Sequence, residues 1–101
     1  MLKVRITAIR RSQYDDLIEK YENPLENPCD IVMGKTYISE NAQIPEGFCN
    51  NAWRCIKGYV KTLAEGGGNF FDGWMKNEKS AMVSCDDGFR PVSFLIETSE
   101  E

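Results

Sequence analysis

The strongest constraint on this chain is a change of hydrophobic period along it. Leu2, Val4, Ile6 and Ala8 alternate with Lys3, Arg5, Thr7 and Ile9, a period of two that predicts a half-buried strand. Between about Asn51 and Glu65 the period changes. Trp53, Ile56, Val60 and Leu63 fall on one helical face, with Ala52 and Tyr59 on its flank and Arg54, Lys57 and Lys61 on another face. Asn50 or Asn51 is the expected cap, and Gly66-Gly67-Gly68 supplies the left-handed stop. Period two then returns. Ala81, Val83 and Cys85 alternate, Asp86-Asp87-Gly88 supplies turn chemistry, and Val92, Phe94 and Ile96 alternate again, so a C-terminal β-hairpin is expected.

The remaining segments fit around this frame. Ser12-Gln13-Tyr14-Asp15 has the form of a capping box, and Tyr14, Leu17, Ile18 and Tyr21 make a second helical stripe ending at Asn23-Pro24. The stretch to Pro28 reads as loop. Ile31–Met33 and Lys35–Ser39 read as short strand broken or bulged at Gly34. Gly34-Lys35-Thr36 has the ending of a phosphate-binding loop, but the glycine that motif needs five residues earlier is Cys29, so the match fails. Strand, helix, strand, helix, strand, strand favours an α+β fold: a small, mostly antiparallel sheet with two packing helices. At 101 residues, one domain over 1–101 is expected.

Composition removes several classes of function. The net charge of −4 argues against general nucleic-acid binding. The absence of histidine removes Ser-His-Asp and Cys-His catalysis and histidine-based metal motifs. No window has the length of a membrane span, and charge at Lys3 and Arg5 interrupts any secretory leader, so no membrane role and a cytoplasmic location are expected. In that compartment Cys29, Cys49, Cys55 and Cys85 are expected as thiols. An all-cysteine zinc site needs no histidine, but no Cys-x-x-Cys pair exists and the spacing argues against one.

Three places carry potential chemistry. Cys49 precedes the long helix, where free amides and the helix dipole favour a thiolate. Asp86 and Asp87 are read first as turn formers and second as an acid pair. Arg90, at a strand start, is suited to hold a carboxylate or phosphate, or to neutralise Asp86 or Asp87. Phe70, Phe71, Trp74 and Met75 crowd one loop, either as a satellite core or as the surface of a homodimer, the latter being expected for some of them.

Gly47-Phe48-Cys49, Ala52-Trp53, Gly67-Gly68-Asn69-Phe70 and Cys85-Asp86-Asp87-Gly88-Phe89-Arg90-Pro91-Val92 together resemble a family of small microbial proteins of unknown function. The likeness runs from Lys3 to Ile96. It singles out Cys49 and Cys85 over Cys55, and it brings no activity or cofactor. The resulting expectation is a small-ligand or metal-binding module with a pocket near Cys49, Trp53, Cys85, Asp87 and Arg90. The alternatives are a homo-oligomeric interaction subunit and, behind it, a thiol-dependent enzyme using Cys49.

Overall fold

The computed structural model describes residues 1–25 and 31–99; the expected loop through Pro28 and Cys29 lies outside the described residues in part. The elements are β1 (Val4–Arg11), α1 (Asp15–Tyr21), β2 (Thr36–Ser39), α2 (Asn50–Ala64), β3 (Ser80–Ser84) and β4 (Val92–Thr98). The strands form one antiparallel sheet in the order β2-β1-β4-β3, with β3 and β4 as the C-terminal hairpin. The α+β class is as the alternating periods predict.

The core follows from those periods. Val4, Ile6 and Ala8 of β1 and Val92, Phe94 and Ile96 of β4 share one face of the sheet, and all six are fully buried. Across this face runs α2, which buries Ala52, Ile56, Val60, Leu63 and Ala64 and leaves Arg54, Lys57 and Lys61 exposed. Phe48 closes one corner, edge-on to Tyr37 at 4.8 Å and tilted against Phe94 at 5.5 Å.

Several local boundaries differ from the sequence reading. The expected strand starts later and runs further, because Arg10 and Arg11 pair with Ser93 and Val92, and the register shift places a bulge at Ile9. Leu2 lies outside the strand and donates its N–H to the Ala64 carbonyl at 2.8 Å. Ile31–Met33 is not strand: the chain turns over Val32–Lys35, where Gly34 takes φ +85° and donates to the Ala8 carbonyl at 2.6 Å. Ser12 does not cap α1. Its N–H extends the ladder to the Pro91 carbonyl at 2.9 Å, so Tyr14 takes the cap position without a side-chain bond.

The C-terminus of α2 ends in a Schellman arrangement. Gly66, at φ +89°, donates to Leu63, and Gly67 donates to Thr62. Lys79 Nζ then donates to the Gly66 carbonyl at 2.7 Å, a cation placed at the negative end of the helix.

Candidate functional site

The residues singled out from the sequence fall into two groups. Cys49 and Trp53 sit in the first turn of α2. Cys49 is the N-cap itself rather than a residue before it, and its carbonyl accepts the Trp53 N–H at 2.9 Å. Both side chains are half-buried, and Trp53 meets Phe48 edge-on at 6.2 Å between centroids.

Cys85, Asp87 and Arg90 belong to the connection between β3 and β4. The Val92 N–H donates to Cys85 Sγ at 3.3 Å. Asp87 Oδ1 accepts the N–H groups of Phe89 at 2.8 Å and Arg90 at 3.1 Å, the behaviour of a turn-forming aspartate. Among the described residues, Arg90 makes no ion pair with Asp86 or Asp87. Its Nη1 donates to Glu22 Oε1 at 2.8 Å in a largely buried pair, beyond the end of α1. Among the described residues, no hydrogen bond or ion pair joins Cys49 or Trp53 to this second group.

The structure instead places a groove of about 480 Å³ on the outer flank of α2, where Arg54, Cys55, Lys57, Tyr59 and Thr62 meet Phe70 from the following loop. Tyr59 stands edge-on to Phe70 at 5.1 Å and tilted to Phe71 at 5.9 Å, and Phe71 contacts Trp74 at 5.8 Å. This aromatic row grades outward: Phe70 is half-buried, and Trp74 is 82% exposed. The loop therefore divides as the sequence reading allowed, part packed and part open. Positive φ at Asn69, Phe71, Asp72 and Gly73 folds it back toward the helix.

Sequence reasoning passed over this groove. Cys55, Tyr59 and Thr62 make a second, narrower stripe at i, i+4 and i+7 beside the core stripe, and that spacing was the available signal. Its electrostatics are mixed. Arg54 Nη2 lies 3.8 Å from Asp86 Oδ2, both exposed, whereas Lys57 is exposed and has no ion pair among the described residues. Burial pushes the Cys55 thiol above the ordinary thiol range. The Asp86 carboxylate and Cys85 add to this rise, and the backbone bond with Asp86 opposes it. Cys55 Sγ donates to the Asn51 carbonyl at 3.4 Å, which suits the protonated thiol.

Among the described residues, no group of three or more Cys, Asp or Glu side chains is placed to hold a metal, and no helix is long and apolar enough to cross a membrane. No family model, curated protein or solved structure matches the chain.

Proposed function

We propose that this protein is a binding module whose site is the groove on the flank of α2, and that its ligand is small, planar and anionic. One observation carries the reading: two basic side chains, Arg54 and Lys57, share a single concavity with the aromatic faces of Tyr59 and Phe70. The groove's volume is in the range of small-molecule sites. A net acidic chain that gathers cations beside half-buried aromatics on one flank favours an anion with a flat apolar body. The likeness to small microbial proteins of unknown function is proposed with it and adds no ligand.

The test is an amide-shift titration with naphthalene-2-sulfonate, with naphthalene-2-methanol as the neutral control. Saturable shifts are expected around residues 54–62 and at Phe70, with the neutral analogue binding more weakly. Lys57→Ala and Phe70→Ala should each weaken binding by about tenfold, a loss of ~1.4 kcal/mol. Equal affinity for both probes, or shifts centred on Cys49, would reject this site.

A homodimer through Phe70, Phe71, Trp74 and Met75 is a second reading, favoured by the 82% exposure of Trp74. A thiol enzyme built on Cys49 has less support, because Cys49 does not line the groove. A cytoplasmic setting belongs to the same proposal. Alkylation of the denatured chain without reductant should then label all four cysteines, and two stable disulfides would overturn it.

A further inference from the structure

Most glycines of this chain have a local reason. Gly34, Gly47, Gly66 and Gly73 take left-handed backbone, and at Gly67 and Gly68 a Cβ would run into Thr62 and Glu78. Gly88 lies in the β3–β4 connection, outside any helix or strand. Gly58 has none of these reasons. It stands in the interior of α2, its backbone is not left-handed, and a Cβ built on it meets no atom within 4 Å. Proline aside, glycine is the least favourable residue in a helix interior, because it loses the most backbone freedom there. Alanine would fit the position and strengthen the helix, so neither backbone nor packing accounts for glycine.

The groove does account for it. Gly58 lines the groove at the middle of its helical wall, with Arg54 and Cys55 one turn before it and Thr62 one turn after. From Arg54 to Thr62 this wall is about 12 Å long at the helical rise. Cys55 Sγ donates to the Asn51 carbonyl at 3.4 Å, and Thr62 Oγ1 donates to the Gly58 carbonyl at 3.0 Å. Both side-chain donors are thus bonded within the helix. Around Gly58 the wall is bare backbone, set between the cations Arg54 and Lys57 and the rings of Tyr59 and Phe70. A side chain at position 58 would stand in the layer next to that wall, where a bound ring makes carbon contacts at about 3.5–4 Å.

We propose that Gly58 sets the specificity of the groove: its missing side chain admits a fused aromatic ring lying flat against α2, with the acid group of that ligand held by Arg54 and Lys57. The assignment rests on the groove being the anion site proposed above, and it adds the face by which the ligand is recognised. A ring that touches bare helix backbone over its whole face gains contact that a thick, saturated body of the same charge cannot make. Gly58 is in this respect a cost to the helix that the bound ligand explains.

The test titrates the full chain with naphthalene-2-sulfonate and with camphor-10-sulfonate, an anion of the same charge with no flat face. Wild type should bind the flat anion about tenfold more tightly. Gly58→Ala should raise the urea midpoint and yet weaken naphthalene-2-sulfonate by about tenfold, the scale of one added carbon in an apolar site. Gly58→Leu should stay folded and lose the saturable amide shifts over residues 54–62. Stability and affinity moving in opposite directions is the signature, because a glycine kept for structure would lose stability on substitution. A wild type that binds neither anion shows that the groove is not an anion site, and the assignment of Gly58 falls with it. A wild type that binds both anions equally, or variants that bind naphthalene-2-sulfonate as wild type does, leave the anion site standing and overturn the role of Gly58. A lowered urea midpoint in Gly58→Ala overturns it as well.

Discussion

The two helices begin with the same kind of signal and end with different roles. Both carry an apolar stripe at helical spacing, yet α2 buries five residues against the sheet and α1 buries none. In α1, Tyr14, Leu17 and Tyr21 all remain exposed, Tyr21 by 67%. Among the described residues, polar contacts hold the two ends of α1, and Ile18 is half-buried. The Tyr14 N–H donates to the Phe89 carbonyl at 2.9 Å, and Glu22 accepts from Arg90. One helix is thus part of the core and the other is strapped to the β3–β4 connection. An amphipathic stripe states which face can be buried; it does not state that a partner surface will be available.

The sharpest way to break this contrast is to remove the core anchor of α2. Leu63→Ala deletes a fully buried side chain and should cost ~2–5 kcal/mol in urea unfolding. A cost near zero would mean that α2 is no more packed than α1. Next in size is the strap. Arg90→Ala strands the Glu22 carboxylate in a largely buried place and should cost about 1–3 kcal/mol. Its signature is local: the amides of Ile18 and Glu22 should lose exchange protection and those of α2 should keep theirs. Uniform loss across both helices would show that α1 is coupled to the core. Leu17→Ala, on the exposed stripe of α1, should change stability by no more than ~0.5 kcal/mol, and a larger loss would mean that the stripe is covered.

The smallest expected effect concerns the flank of α2. The Cys55 thiol has its pKa raised by folding, so it favours the native state while protonated in both states. That contribution is present below the unfolded thiol pKa and is lost as pH rises through the higher folded value. Chemical denaturation should therefore show stability falling on the alkaline side of the ordinary thiol range, and Cys55→Ala should flatten that fall. In the wild type, Cys55 should also alkylate more slowly than Cys49 at neutral pH, and the reverse order would contradict the protonated thiol.

Much of the architecture was legible because it repeats along the chain. The alternation of Val4, Ile6 and Ala8 and of Val92, Phe94 and Ile96 marks the buried face directly, and so does the stripe of Ile56, Val60 and Leu63. The triple glycine marks the helix stop, which the structure realises with Gly66 and Gly67. The candidate site was less legible. Asp87 was readable as a turn former from Asp-Gly alone, since its bonds are to its own neighbours. Arg90 was not readable, since its partner Glu22 lies 68 positions away and nothing local names it. The groove was missed because its walls come from the minor stripe of α2 and from a loop whose return depends on left-handed residues such as Phe71 and Asp72, a conformation those residue types do not announce.

What the sequence determined by itself is therefore the set of faces. Period two and period 3.6 fix which side of each strand and of α2 is apolar, because side-chain direction follows from local backbone geometry. What only the tertiary structure decided is which faces meet. The order β2-β1-β4-β3, the packing of α2 without α1, the pairing of Arg90 with Glu22 and the fold-back of Phe70 onto Tyr59 each join segments far apart in the chain. Their selection depends on the combined geometry and burial of the whole domain, which no local pattern carries.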